Sequence, residues 1–255
     1  MTSLDRYFGL KGRTALIVGA TGGIGSEISR AFAVAGARLV VSGNDAGALR
    51  SLGEELGADV HPADVRKPAE LDALVNAAFG RLGTVDALVC NAGASGHFGP
   101  LGEASDAVRS ELFATNLDYA LHLTGRIAPH MATSGGGSII LMSSIAGLRG
   151  NAQIGLYGLT KAALSQLARN LAVEWGPRNV RANAIAPGLI QTSWANAILS
   201  SPQKSSTRLR QTPLRRIGDP WEVAGTALFL ASPAAAFITG QTVVVDGGTL
   251  ISDGN

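Results

Sequence analysis

Apolar and polar positions along the chain alternate between two patterns. Short unbroken apolar runs predict strands buried on both faces, at 14–18, 38–42, 58–61, 85–90, 138–142, 180–185 and 242–245. Between them, apolar residues recur at helical spacing. Ile24, Ile28, Ala31 and Phe32 mark a helix over 23–34, and Leu71, Leu74, Val75 and Ala78 mark one over 69–81. Further helices are predicted after the second strand to about Leu56, from about Ala107 to Met131 as one long element, through Tyr157 and Lys161 to Gly176-Pro177, and over 221–231.

Strands alternating with helices over short connections predict a parallel sheet covered on both faces, in the α/β class. No repeat, linker or low-complexity tract divides the 255 residues, so a single domain over 1–255 is expected. The least regular stretch, 191–219, is rich in Ser, Thr, Arg and Pro. It reads either as a surface insertion or as a lid over a substrate pocket.

Composition narrows the function. Apolar residues make up 46%, enough for a sizeable core. Charged residues are only 16% with a net charge of +2 and no basic run, which argues against a nucleic-acid surface. Cys90 is the only cysteine, and His61, His97, His122 and His130 lack ligand spacing, so no metal site is expected. There is no signal-peptide pattern and no apolar run long enough to span a membrane; a cytoplasmic enzyme is the default expectation.

Two constellations carry candidate chemistry. Gly19-Ala20-Thr21-Gly22-Gly23-Ile24-Gly25 follows the first strand and opens a helix, where glycines let a pyrophosphate approach backbone N–H groups at a helix N-terminus. Tyr157 and Lys161 are one helical turn apart and project from the same face, with Ser144 thirteen residues before the tyrosine. An ammonium beside a phenol favours the phenolate, so the pair is expected to lower the tyrosine pKa and make it a proton carrier. The same spacing arises on solvated helix faces, so the pair gains weight only from its company.

That company, in this order, resembles the short-chain dehydrogenase/reductase family from Leu10 to Gly248. The resemblance implies a single doubly wound Rossmann domain with a seven-stranded parallel sheet and helices on both faces. It implies reversible hydride transfer between NAD(P)(H) and a secondary alcohol or ketone. Asn116, Ser144, Tyr157 and Lys161 match the family's catalytic set: Tyr157 exchanges the proton, Lys161 tunes it and binds the nicotinamide ribose, Ser144 holds the substrate oxygen, and Asn116 anchors the relay. Asn91, Ala92 and Gly93 match the segment against the adenosine ribose, with Cys90 in place of a first Asn. Asp64 and Val65 match the adenine contact, and Pro187, Gly188, Ile190 and Thr192 the segment that binds the nicotinamide carboxamide. Val18 stands where the family's glycine motif usually begins with Thr.

At the end of the second strand, Gly43 and Asn44 occupy the positions that choose between the two dinucleotides. Neither an acid nor an arginine is present; Ser42 and Asn44 can bond a 2′-phosphate, and Asp45 can reach a ribose, so the reading leans slightly to NADP. Ser95, His97, Ser144, Arg149, Gln153, Ile154 and Trp194 are the expected substrate contacts. Apolar Leu148, Leu156, Ile190 and Ile198 point to a medium-sized, largely uncharged substrate, with Arg149 leaving an anionic one open. A homotetramer is expected from the resemblance. The rival readings are a 3-oxoacyl-carrier-protein reductase, using Arg208, Arg210, Arg215 and Arg216 toward an acidic carrier, and a non-catalytic dinucleotide-binding sensor.

Overall fold

The computed structural model describes residues 4–196 and 200–252. Its centre is a sheet of seven parallel strands: β1 (Thr14–Val18), β2 (Arg38–Ser42), β3 (Asp59–Val60), β4 (Ala87–Cys90), β5 (Gly137–Met142), β6 (Val180–Pro187) and β7 (Thr242–Val245), in the order β3-β2-β1-β4-β5-β6-β7. Every residue of β1 and β4 is buried, which is why these runs are apolar throughout and do not alternate.

Helices cover both faces. On one lie α2 (Gly23–Val34), α3 (Ala46–Leu56) and α9 (Pro220–Ala231), whose Ile28, Phe32, Leu49, Leu52, Val223 and Leu230 pack on Ile17, Val41, Val89 and Ile185. On the other lie α4 (Pro68–Leu82), α6 (Tyr119–Thr133) and α7 (Gly155–Trp175), with Leu71, Leu74, Leu123, Ile127 and Leu164 against Leu16, Val40, Leu88 and Leu141. Alternate strand residues thus feed the two cores, as the two-residue period requires. A short helix, α1 (Asp5–Phe8), precedes the sheet. The helix α5 (Asp106–Phe113) precedes α6, and α8 (Pro202–Arg210) lies within the irregular stretch.

Local chemistry sets the helix ends. Asp45 caps α3 by accepting bonds from Gly47 N and Ala48 N, and Gly57, left-handed at φ 60°, ends it. Asp219 and Glu222 form a reciprocal capping box at the start of α9.

The long helix expected over 107–131 runs without a break from Asp106 to Thr133, but not as regular α-helix throughout. It is α5 and α6 joined by a π-turn at Ala114–Asp118, which carries the buried Asn116. Periodicity does not register one inserted residue, because apolar spacing resumes on the far side.

β1 sits between β2 and β4, so chain connections leave it toward opposite sides. This reversal of strand order opens a crevice at the carboxyl ends of the strands. Gly19, Gly43, Asn91, Ser143 and Gly188 each follow directly on a strand that ends there.

Candidate active site

At the crevice floor, the turn after β1 is held by close backbone packing. Gly19 has φ +81°, and a Cβ there would lie 2.4 Å from Ala92 N. A Cβ on Gly25 would lie 2.0 Å from Gly19 O, and one on Gly23 would meet the Thr192 methyl at 2.9 Å. Asn91 Nδ2 donates to Gly19 O at 2.8 Å and ties the loops after β1 and β4 together. The N-cap of α2, Gly22, has no side chain to cap its N–H groups, and no acid stands in the first turn. Those N–H groups and the positive end of the helix dipole suit a pyrophosphate. Thr21, Gly22, Gly23 and Ile24 are therefore where the expected phosphate cradle should be.

The four residues expected to do chemistry are brought together. Asn116 is fully buried within the π-turn. Its Oδ1 accepts from Ala94 N at 2.7 Å, and its Nδ2 donates to Ala94 O and to Thr160 Oγ1, both at 3.0 Å. Lys161 is 3% exposed, and its Nζ donates to Met142 O at 2.8 Å. The same Nζ lies 5.5 Å from the centre of the Tyr157 ring. A Cβ on Gly93 would approach Lys161 Nζ at 3.2 Å and Asn116 Oδ1 at 3.4 Å, so the absent side chain leaves the ammonium room. Ser144, two residues past the end of β5, accepts from Ala146 N at 3.1 Å, and its hydroxyl lies where it favours the Tyr157 phenolate.

Protonation departs from the expected pattern. Burial pushes the Tyr157 phenol up to about 12, and the bond with Ser144 only partly opposes this. Burial also lowers Lys161 to about 8. The expectation of a phenol acidified by its neighbour is thus corrected. Nζ donates to the Met142 carbonyl, and burial is the largest cause of the shift in the phenol. Tyr157 stands as a neutral donor.

Three residues that sequence reasoning missed hold this set. Thr160 links Asn116 to the Tyr157 carbonyl through bonds of 3.0 and 2.8 Å. Ser143 bonds Lys161 O and Ser165 Oγ, fixing α7 to the end of β5. Tyr119 donates to Ala92 O at 3.0 Å. A threonine directly before the lysine and a serine directly before Ser144 were visible signals, since polar side chains in a buried turn need partners.

The outer cofactor positions are mixed. Gly43 is buried beside Thr21, whose Oγ1 a Cβ there would meet at 2.9 Å. Asn44 is exposed, and Ser42 Oγ is buried without a partner among the described residues. Asp45 is committed to the N-cap of α3, which corrects its expected reach to a ribose. The Arg66 guanidinium forks the Asp64 carboxylate and holds it at about 2, while also reaching Glu111. Val65 packs against the core. Gly188 presses on Asp246, where a Cβ would lie 2.7 Å from Asp246 Cβ. Pro187 ends β6, Ile190 is buried, and Thr192 lies against the phosphate loop.

Among the substrate candidates, Trp194 stacks on Tyr157 with ring centres 5.1 Å apart and is 52% exposed. Ile154 packs beside Tyr157 and Leu156. Gly99 N donates to Gln153 O, which closes the 94–100 loop onto the 148–154 loop. His97 is half-buried and bonds Pro100 O, with its ring near Glu103. Ser95 and Arg149 are half-buried. Ile198 lies outside the described residues.

Comparison with known proteins agrees with this arrangement. The family model described as Enoyl-(Acyl carrier protein) reductase matches residues 19–249. The 7alpha-hydroxysteroid dehydrogenase of Escherichia coli (strain K12) is 39% identical over 244 residues, covering 94% of each chain. A solved 7 alpha-hydroxysteroid dehydrogenase, complexed with NADH and 7-oxo glycochenodeoxycholic acid, superposes with a TM-score of 0.91 at 39% identity, covering 97% of this chain and 98% of that one. A gluconate 5-dehydrogenase from Burkholderia cenocepacia J2315, in complex with NADP and tartrate, gives 0.92 at 32% identity, covering 98% and 99%. The chain belongs to the short-chain dehydrogenase/reductase family. It is an NAD(P)-dependent oxidoreductase that interconverts an alcohol and a ketone.

Proposed function

We propose that Tyr157 is the proton donor in carbonyl reduction and the acceptor in the reverse oxidation. The bound dinucleotide supplies or takes the hydride. Ser144 and the Tyr157 hydroxyl hold the substrate oxygen between them. As the carbonyl carbon gains hydride, its oxygen gains negative charge. Two donors already aimed at that oxygen stabilise the transition state more than the ground state. The phenolic proton then passes to the oxygen. Lys161 offsets the charge left on Tyr157 and serves the nicotinamide ribose, while Asn116 and Thr160 keep the turn of α7 in register.

The buried phenol beside Ser144 and Lys161 carries this reading. Tyr157→Phe is expected to lower kcat by about a thousandfold, within the range for loss of a general acid, and to leave dinucleotide binding intact. Initial rates and fluorescence titration with NADPH check this; near-normal turnover by the variant would overturn the assignment. A non-catalytic sensor is disfavoured by the same intact set. The carrier-protein reading is disfavoured because the curated relatives include a hydroxysteroid and a galactitol dehydrogenase, and because Arg216, one of the arginines it would use, is paired with Glu222.

The preference leans to NADP. Gly43 brings no carboxylate to repel a 2′-phosphate, Asp45 is engaged elsewhere, and the hydroxyls of Thr21 and Ser42 are near. The family resemblance supports a homotetramer, and a cytoplasmic location stays the default reading. The 191–219 stretch is read as a cover over the substrate, on the stacking of Trp194 over Tyr157.

A further inference from the structure

Tyr119 carries a hydroxyl that the hydride-transfer chemistry does not use. The residue is 1% exposed and is one of the largest fully buried side chains. Burial raises its phenol well above the ordinary value, so the hydroxyl keeps its proton and acts as a donor. A phenylalanine would fill the same space. A buried hydroxyl needs an acceptor, and this one has Ala92 O at 3.0 Å.

That acceptor lies where the sheet has run out. β4 ends at Cys90, and Asn91 N makes one more bond, to Val18 O. Beyond it, the π-turn and the start of α6 hold the backbone. Tyr119 takes Ala92 O, and Asn116, three residues earlier, takes Ala94 N and Ala94 O at 2.7 and 3.0 Å. Gly93 lies between the two gripped residues. Ala92 is also packed on the phosphate loop, since a Cβ on Gly19 would lie 2.4 Å from Ala92 N.

The peptide between Ala92 and Gly93 is trans, and a trans peptide sets its C=O and its N–H on opposite sides. With Ala92 O fixed on Tyr119, the Gly93 N–H is turned away from α6. Gly93 is exposed, and among the described residues its N–H has no acceptor. A Cβ on Gly93 would come within 3.2 Å of Lys161 Nζ, so Gly93 stands beside the ammonium assigned to the nicotinamide ribose.

We propose that Tyr119 is a positioning residue for the dinucleotide: it holds the Ala92–Gly93 peptide so that the Gly93 N–H faces the crevice as a donor to a ribose hydroxyl. This rests on the hydride-transfer reading above and adds a residue that acts on cofactor binding through the backbone, without touching the reacting atoms. A donor fixed before the dinucleotide arrives needs no ordering when it binds. Without the phenolic hydroxyl the peptide is free to turn, and the ribose loses a donor held in place.

The test is Tyr119→Phe in the full-length protein, which removes one oxygen and keeps the ring. Fluorescence titration with NADH and NADPH should give a Kd about tenfold higher than the wild type for the dinucleotide that binds tighter, the scale of one lost hydrogen bond whose acceptor stays buried. At saturating dinucleotide, kcat and the substrate KM should stay within about twofold of the wild type. Amide hydrogen exchange across 91–94 should be faster in the variant when no dinucleotide is bound. Ile127→Val, two turns further along the buried face of α6, separates this from general loosening: it should lower the urea midpoint and leave the Kd at the wild-type value. An unchanged Kd in Tyr119→Phe overturns the proposal, whatever happens to its stability. A Kd weakened equally by Ile127→Val also overturns it, because lost packing would then suffice. If the wild type binds dinucleotide but turns over no ketone or alcohol, the hydride-transfer reading fails separately, and the comparison of Kd values still decides the role of Tyr119. If the wild type binds neither dinucleotide, both readings fall.

Discussion

The catalytic set and the segment that covers it are built on opposite terms. Asn116, Lys161 and Tyr157 are buried and stand on regular or nearly regular helix, and the polar atoms of Asn116 and Lys161 are bonded at close range. The cover over 191–219 has a half-exposed tryptophan and a short, largely polar helix whose Ser206, Thr207 and Arg210 face solvent. Chemistry that must be repeated without error is placed where packing permits one arrangement. Selection of the molecule to be reduced is left to a surface that packing does not constrain.

The contrast can be tested from its rigid side first. Gly25→Ala puts a methyl group against Gly19 O, a backbone atom that cannot rotate away. A dinucleotide affinity lower by about a hundredfold is expected, the scale of a few kcal/mol of overpacking, and fluorescence titration reads it. Asn116→Ala strands Ala94 N, Ala94 O and the Thr160 hydroxyl. About 3 kcal/mol of unfolding free energy should be lost in urea titration, along with turnover. Both effects should far exceed anything obtained from single changes in the cover.

The pH dependence sharpens the same point. Lys161 is lowered to about 8, below its ordinary value of 10.5. Between those values the unfolded chain binds more protons than the folded one, so this group's contribution to stability rises with pH. Below about pH 8 the folded protein carries the full cost of burying the charge. Lys161→Met, which removes that charge at similar volume, should therefore have its greatest relative stability at pH 7 and lose ground to the wild type by pH 10. Denaturant midpoints across that range check the slope. Tyr157, raised to about 12, contributes in the opposite direction above pH 10, where the folded state keeps the proton longer. In turnover, a neutral phenol implies reduction that is level through neutral pH and oxidation that climbs with pH.

The smallest effect on folding is expected from the cover. Trp194→Ala removes the ring stacked on Tyr157. Stability should change by about 0.5 kcal/mol or less, as for other exposed positions. KM should rise by about tenfold, the scale of one aromatic contact. A large loss of stability would mean that Trp194 is a core residue and that the contrast between the two regions is wrong.

The sequence made the sheet legible because each strand is an uninterrupted apolar run and each helix repeats its apolar face. Gly19, Gly25, Asn91, Tyr157 and Lys161 were legible because backbone approach and helical spacing restrict which residues fit. The π-turn was not legible, since an inserted residue leaves the apolar pattern intact on both sides. Neither was the raised phenol: the identity of a neighbour can be read from spacing, but the degree of burial and the direction of an ammonium cannot.

The extra residue in the π-turn at Ala114–Asp118 makes the segment vulnerable in an unusual way. Deleting any one residue there would let α5 and α6 fuse into a straight, better-bonded rod. The faces of α5 and α6 would keep their register, because the wide turn is what absorbs the extra residue. The turn that seats Asn116 would tighten, and its amide would be drawn from Thr160 and Ala94. A more regular helix would thus yield a poorer enzyme, and wholesale shortening at this point is the edit the chain is least able to absorb.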